Sequence, residues 1–587
     1  MENLNQDRVS RSRHKHGAGE IAQADGRTLN SRRVGALPIL DRFLRRLRIG
    51  EAVCDRLPPE DRRWRVSNTA ALLLLAKNLL VARAPLYGVG EWAARHEPSL
   101  LGLAENQLAA LNDDRVGRAL DRLFDADVPT LVLGVAAHAV REFDVDLAEL
   151  HNDSTTVTFH GDYDSAAQER TLRGQFRAAI TWGHNKDHRP DLKQLLYILT
   201  VTGDGAVPVQ FRVQSGNTTD DRSHRETWDF LRKLTGTADF LYVADCKLAT
   251  TENMAYLHKN GGRFVTVLPR TRAEDAAFRA TLQAGKVDWR QVHVKRDEQD
   301  TILDEFSIAS TPMQTVEGYR LVWYHSTLKA ECDAASRLKR LERVVARLDE
   351  LRKKLGSPRT RYRARAQVSE AVEAIVRECE VAGWVTVEVK ETTRATYRQE
   401  RRGRPSEKTR YTKQERTRFE IEHRVALERL DAEAQCDGVF PLVSNDLTMT
   451  ERELLLTYKH QPAIERRFEQ LKTDFVVAPV YLKEASRIQA LLCVYFFVLL
   501  VEALLEALLE RELRRAMERS GDEDLPLYPE SRPCRRPTAR KLIDLFEDVQ
   551  RHTLTSPAGP PVVFTTELTG LQRKVLRLLG MSDAYDS

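Results

Sequence analysis

Cysteine is scarce and unpatterned in this chain: seven among 587 residues, at positions 54, 246, 332, 379, 436, 493 and 534, with no Cys-x-x-Cys. That excludes a disulfide framework and a thiolate zinc site as the organising device, and it fits a reducing compartment. Long apolar runs are missing too. The longest, 490–501, is 12 residues and is closed by Glu502, whereas a bilayer span needs about 20. It is expected as a buried core helix, and no membrane partner is expected. Residues 1–33 have no apolar stretch of the signal-peptide kind. They are rich in Arg, His, Ser and Gly and are expected to be a disordered basic tail on an intracellular protein. Nor is there an excess of one charge, with 91 basic against 86 acidic residues. Where the basic residues gather is therefore more telling than their sum.

The periodicity divides the rest. Over 34–145 it is helical: Leu37, Leu40, Phe43, Leu44 and Leu47 keep a 3.6-residue period with Arg42, Arg45, Arg46 and Arg48 between them. A buried segment follows at 69–81, and Asn112-Asp113-Asp114 caps a helix bearing Val116, Leu120 and Leu123. This is an all-α domain with basic edges, either a scaffold or a DNA-binding domain. Over 146–270 the pattern changes. Strands are expected at 150–159, 194–201 and 206–213, the last two joined by the hairpin signal Gly203-Asp204-Gly205. A helix at 222–235, an apolar strand at 240–245, a helix at 251–259 and a strand at 263–268 complete an α/β mixed sheet flanked by helices.

An α+β insertion is expected over 271–446. Its helical stripe from Leu338 to Leu355 stops at Gly356-Ser357-Pro358, a second helix at 368–381 folds back, and strands follow at 384–390, 419–426 and 439–443. Between the first two strands lies a basic loop, 394–418, with ten Arg/Lys, three Glu, Tyr397 and Tyr411. Arg398, Arg401, Arg402 and Arg404 there are candidates for tracking DNA phosphates; the plainer reading is a solubilising loop. Residues 447–510 return to the core, and 511–587 are expected to be helical, with a second basic cluster at Arg532, Arg535, Arg536, Arg540 and Lys541.

The chemistry centres on Tyr458, Glu465 and Lys472, which are spaced seven apart, beside the apolar stripe Ile464, Phe468 and Leu471. Pro462 is tolerated only at a helix start. The helix is therefore expected to begin near Gln461, with Tyr458 just before it at the end of a segment capped by Thr450 and Glu453. Asp153 lies on the first strand and Asp245 at the end of the fourth, where open α/β sheets form ligand crevices. Any one of these acids alone commonly caps a turn or faces solvent. Together, three hard oxygen ligands suit Mg²⁺ or Mn²⁺, and two such ions can drive in-line displacement at phosphorus. His184 and His188 are four apart, but Pro190 and the loop-like context do not suit a zinc-binding helix.

Tyr458-x2-Gln461-x3-Glu465-x6-Lys472 resembles the Y-x2-R-x3-E-x6-K signature of the insertion-sequence-four group of DDE transposases. His151-Asn152-Asp153-Ser154-Thr155-Thr156 resembles the block around that family's first Asp, and Val243-Ala244-Asp245 that around its second. The stretches 182–194 and 216–220 resemble blocks of one branch of the group, and the region through Asn112–Arg115 resembles its helical N-terminal domain. The chain departs from the signature at Gln461, where the family has Arg, and Pro462 bears on the helix start. The resemblance implies an RNase H-like core in which Asp153, Asp245 and Glu465 are catalytic and hold two Mg²⁺ or Mn²⁺ ions. It also implies that Tyr458, Lys472 and the residue at 461 contact DNA. The expected activity is cut-and-paste transposition at terminal inverted repeats, with joining to target DNA, by a homodimer working on the bacterial nucleoid. The residues alone do not separate this from an RNase H-like nuclease without strand transfer; a decayed copy that only binds DNA is the third reading, and the intact acids speak against it.

Overall fold

Helical periodicity governs the first 145 residues, and helices dominate there. After β1 (Ile21–Ala24) and β2 (Arg27–Arg33) come α1 (Leu37–Arg46), α2 (Ile49–Arg56), α3 (Asn68–Val81), α4 (Val89–Ala94), α5 (Asp113–Asp125) and α6 (Val128–Phe143). The caps follow the sequence: Ser67 accepts from the Ala70 N–H at 3.0 Å and Asn112 from the Arg115 N–H at 2.8 Å. The computed structural model describes the chain except residues 1–20, 25–26, 61–63, 188, 220–222, 298, 358, 475–481, 521–524, 528–533, 535, 558 and 587. Most of the tail expected to be disordered thus lies outside the described residues, as do His188, Asp220, Arg532 and Arg535.

Next come β3 (Glu149–Phe159), the small hairpin β4 (Arg170–Leu172) and β5 (Gln175–Arg177), β6 (Lys193–Thr202), β7 (Pro208–Ser215), α7 (Ser223–Thr235), β8 (Leu241–Ala244), α8 (Thr251–Lys259) and β9 (Arg263–Val267). The sheet runs β9-β8-β3-β6-β7. β3 is antiparallel to β6, and β6 to β7, while β8 is parallel to β3 and β9 to β8. All four residues of β8 are buried, as its apolar sequence requires for a strand covered on both faces. The fold is mixed α/β.

The segment 267–455 forms a compact unit of its own; 1–266 and 456–587 form the other. The second unit holds α9 (Ala273–Gln283), β10 (Trp289–Arg296), β11 (Ile302–Ala309), β12 (Met313–Gln314), β13 (Arg320–Ser326), α10 (Thr327–Gly356), α11 (Arg365–Glu378), β14 (Val385–Gln399), β15 (Tyr411–Val425), α12 (Leu427–Ala434) and β16 (Val439–Ser444). Strands β10-β11-β13-β16 pair in that order, an arrangement the sequence reading missed. Helices α10 and α11 form the expected hairpin and pack on β14 and β15 through Leu348, Leu351, Val372, Val385, Phe419 and Ile421.

The basic loop needs correcting. β14 and β15 pair without interruption from Val385 opposite Val425 to Gln399 opposite Tyr411, so most of 394–418 is a two-stranded ribbon and only 400–410 connects it. Apolar alternation ends near Glu391 and Phe419, where the ribbon leaves the helices, and backbone pairing continues without it.

The chain returns through α13 (Glu451–Lys459), α14 (Pro462–Glu469) and a π-helical turn, Gln470–Asp474, to α15 (Ala485–Ser520), α16 (Ala539–Leu545), β17 (Gln550–Ser556), β18 (Gly559–Thr565) and α17 (Gly570–Leu578). The C-terminal region is thus not wholly helical. β17 and β18 join β2 and β1 in a four-stranded sheet, β1-β2-β17-β18, built from stretches more than 500 residues apart in sequence, of which only β17 and β18 are rich in Thr or Val. Helix α15 is far longer than the 12-residue run that marked it. By length and composition it could cross a membrane, but 94% of its most apolar 18-residue window is buried inside the protein. It packs on α1, α3, α5, α6, β7, α16 and α17, so the N-terminal helices share one apolar core with the sheet.

One buried ion pair fixes α14 in that core. Arg467 Nη1 donates to Glu506 Oε2 of α15 at 2.7 Å, while its Nε and Nη2 donate to Ala206 O (3.0 Å) and Gly205 O (2.9 Å) of the β6–β7 hairpin. Glu506 also accepts the Ala539 N–H at the start of α16, at 2.9 Å. Arg467 is 3% exposed and Glu506 8%; without Arg467 the buried carboxylate would keep only the half-exposed Arg466, 3.3 Å away, as a charged partner. Arg467→Leu is expected to cost about 3–5 kcal/mol of unfolding free energy, measured by denaturant titration. A loss below about 1 kcal/mol would mean that solvent reaches the pair.

Candidate active site

Side chains alternate along a strand, so Glu149, His151 and Asp153 share one face of β3. The last parallel pair between β3 and β8 is Asn152 opposite Ala244. Asp153 and Asp245 are the next residue on each chain, and parallel neighbours lie about 4.8 Å apart. The Asp245 carbonyl is held by the Thr266 hydroxyl at 2.7 Å, and its Oδ1 accepts the Lys247 N–H at 3.0 Å. Pro462 opens α14 as expected, which leaves Tyr458 in the last turn of α13. Ile464, Phe468 and Leu471 are buried, and α14 packs on β3 and β6, leaving Glu465 exposed on the solvent side of the helix. The seven-residue spacing does not make one straight row: α13 and α14 are separate helices, and Lys472 lies in the π turn.

The electrostatics of Tyr458 connect the three predicted acids. Its phenol is pushed up to about 12, first by burial and then by negative charge at Asp245, Cys246, Asp153 and Glu465. One hydroxyl senses all three predicted acids. All three thus lie within electrostatic reach of one hydroxyl, although they come from two strand ends and from a helix more than 200 residues further along the chain, and their oxygens do not all come within 4.8 Å of one another.

Gln461 is turned inward. It is 8% exposed; its Oε1 accepts from His151 Nδ1 at 3.0 Å and its Nε2 donates to Asn152 O at 3.3 Å. This corrects the expectation that it touches DNA. An arginine here could reach outward, whereas the shorter amide serves the turn. Lys472 donates to Asp187 Oδ1 at 2.6 Å, and Lys186 donates to Asp153 Oδ1 at 3.3 Å and to Ser154 O and Oγ, both at 2.7 Å. The sequence reading did not single out Lys186 or Asp187, although both lie inside the 182–194 block it quoted. That block and 216–220 belong together physically. A Cβ on Gly183 would sit 1.8 Å from Gly216 O, and Gln194 Nε2 donates to Gly216 O at 2.8 Å and to His184 O at 3.3 Å.

Glu149, His151 and His460 were also missed. Burial opposes ionisation of Glu149, but hydrogen bonds with His151 and His460 outweigh it and bring its carboxyl down to about 2. The cue was there in the two-residue spacing of Glu149, His151 and Asp153, but nothing in sequence placed His460 above them.

The basic residues divide sharply. On the N-terminal helices Arg42 pairs with Asp583 (2.7 Å), Arg46 with Glu142 (2.9 Å), Arg48 with Glu51 (2.7 Å), and Arg45 with Asp41. In the tail cluster, Arg536 pairs with Glu510 (3.3 Å) and Arg540 with Asp544. On the ribbon, Arg398 is on β14 and Arg401, Arg402 and Arg404 are in the connection. All four are exposed, and among the described residues they form no salt bridge. Tyr397 and Tyr411 beside them are 66% and 49% exposed.

A family model described as "Domain of unknown function (DUF4277)" matches residues 29–137, which span most of β2 through most of α6. No match was found among curated proteins.

Gly183→Ala is expected to drive the 182–194 block away from Gly216, destabilising the protein by about 1–3 kcal/mol or more. Amide exchange at 184–189 should speed up relative to β6. Unchanged exchange would mean the close approach is relieved by a local backbone shift.

Proposed function

We propose that the protein is a DDE-type DNA transposase of the insertion-sequence-four kind, with an RNase H-like core whose acids are Asp153, Asp245 and Glu465. The observation that carries this reading is the register that puts Asp153 and Asp245 on one rung of the sheet, with both acids and Glu465 within electrostatic reach of the Tyr458 hydroxyl. It is supported by the strand order β9-β8-β3-β6-β7, three antiparallel strands followed by two parallel ones on the other side of the first. The matched N-terminal domain belongs to a family often found in transposase-like proteins.

The donor types of the three acids suit divalent cations. Three carboxylates sharing one locality repel each other unless positive charge joins them, and all-oxygen sites suit Mg²⁺ or Mn²⁺. Bound by Asp153, Asp245 and Glu465, such ions would supply charge stabilisation to the attacking and leaving oxygens at phosphorus. The rest falls to the chain's own groups. Tyr458 stays a neutral phenol far above pH 7 and can donate a hydrogen bond to a phosphate oxygen without adding negative charge. Lys472, at present paired with Asp187, exchanges that carboxylate for a phosphate when DNA arrives. Lys186 offsets charge at Asp153 from the sheet side. The ribbon, with Arg398, Arg401, Arg402, Arg404 and two exposed tyrosines, tracks the backbone of terminal-repeat or target DNA. On this reading the working form is a homodimer that synapses two element ends on the nucleoid.

Incubated with Mg²⁺ and DNA carrying the ends of its own element, the protein is expected to yield joined products. Asp245→Asn should reduce them at least about 1,000-fold, as expected for loss of several kcal/mol of transition-state stabilisation. Nicks without joining would assign it as an RNase H-like nuclease, and equal binding by wild type and Asp245→Asn with no cleavage by either would mark a binding-only copy. Separately, reversing Arg398, Arg401, Arg402 and Arg404 to Glu should flatten the dependence of log affinity on log salt by about 0.9 for each phosphate no longer neutralised. An unchanged slope would return the ribbon to a solubilising role.

A further inference from the structure

Two residues from Asp153 on the same face of β3, a different set of donors converges. Glu149 and His151 come from the strand and His460 from the turn between α13 and α14. Their ligand atoms all lie within 4.8 Å of one another. Glu149 Oε1 is 2.7 Å from His151 Nε2 and 2.8 Å from His460 Nδ1, and Glu149 Oε2 accepts from the Thr457 hydroxyl at 3.1 Å. The space is made for that carboxylate: a Cβ on Gly203 would lie 2.7 Å from Glu149 Oε1.

The far side of His151 sets the chemistry. Gln461 Nε2 donates to Asn152 O, which orients the amide and leaves its Oε1 to accept from His151 Nδ1–H. With the proton on Nδ1, the Nε2 lone pair points at a carboxylate oxygen 2.7 Å away. Two acceptors at that distance must share a cation, either a proton on Nε2 or a metal ion. An imidazole whose other N–H is held by a carbonyl, facing a carboxylate and a second imidazole, is the outer-shell pattern of metal centres.

We propose that Glu149, His151 and His460 bind one divalent transition ion of the zinc class, at a site separate from the three-acid cluster, and that this ion latches the α13–α14 turn onto β3. Two imidazole nitrogens and one carboxylate oxygen leave a fourth position for solvent, reached past His460, which is 53% exposed. Imidazole donors favour Zn²⁺ over Mg²⁺, so the two sites differ in preference by their atoms alone. The latched turn lies between Tyr458 and Glu465, so the ion would set where α14 begins. The site stands whatever reaction the acid cluster performs.

The test uses the full-length chain, stripped with a chelator and titrated with Co²⁺ and then Zn²⁺. The expected result is one Co²⁺ per chain with the intense visible bands of a four-coordinate site, displaced by Zn²⁺, and a raised Tm with either metal. His460→Gln changes a half-exposed side chain and should fold; Glu149→Gln is the second variant. Each should weaken Co²⁺ binding by more than the roughly 10–100-fold that loss of an outer-shell partner costs. Asp245→Asn, which disables the acid cluster, should leave the bands in place. The proposal is overturned if wild type shows no such bands. It is equally overturned if Asp245→Asn abolishes them while His460→Gln does not, because the metal would then sit among the three acids.

Discussion

Three negative charges do not gather unless something else holds them there. On the proposed reading, Asp153, Asp245 and Glu465 are held in place by neutral backbone and by charges outside the site. The parallel register of β3 and β8 brings Asp153 and Asp245 to one rung without any contribution from their carboxylates. Glu465 is held by α14, and α14 is fixed at both ends. The Arg467–Glu506 pair and the hairpin carbonyls anchor its C-terminal half, while Gln461 and His460 tie the preceding turn to β3.

Reaching that arrangement takes a long excursion. The chain leaves the acid-bearing unit after residue 266 and re-enters at 456. Closure entropy grows only with the logarithm of loop length, so a folded insertion of this size adds little to what a short loop would cost. The insertion has its own core, in which Leu348, Leu351, Val372 and Phe419 stabilise α10, α11 and the base of the ribbon. The requirement on the sequence is thus concentrated at the point of return. Pro462 ends α13 and starts α14, and the buried Ile464 and Phe468 seat α14 before the chain continues.

What could be read from the sequence follows the range of the interactions involved. The elements of the acid-bearing sheet were legible almost residue by residue, because turn signals and apolar alternation are local: the hairpin at Gly203–Gly205, helix α8 and the all-apolar β8 are examples. The three candidate acids rest on motif spacing, which is likewise local to each motif. Pairings closed by distant partners were not. β2 pairs with β17 across more than 500 residues, and His460 meets Glu149 across 311, with no local cue at either end. Gln461 misled because its position in a signature says nothing of which way its side chain turns. The ribbon misled because pairing beyond the apolar core leaves no alternation to detect.

Charge gives the sharpest case of the difference between composition and availability. Counted along the chain, the arginines of α1, those of the tail and those of 394–418 are equivalent basic clusters. In the folded protein, the first group is neutralised by Asp583, Glu142, Glu51 and Asp41, and Arg536 and Arg540 of the second by Glu510 and Asp544. A phosphate approaching those surfaces must displace a carboxylate already in place, and it gains little, since an exposed pair is worth about 0–1 kcal/mol to begin with. Arg398, Arg401, Arg402 and Arg404 have no such competitor among the described residues, and each can release condensed counterions from a polyanion without first breaking a pair. On the proposed reading, the ribbon suits a nucleic acid because the fold leaves the positive charge of these four arginines unspent.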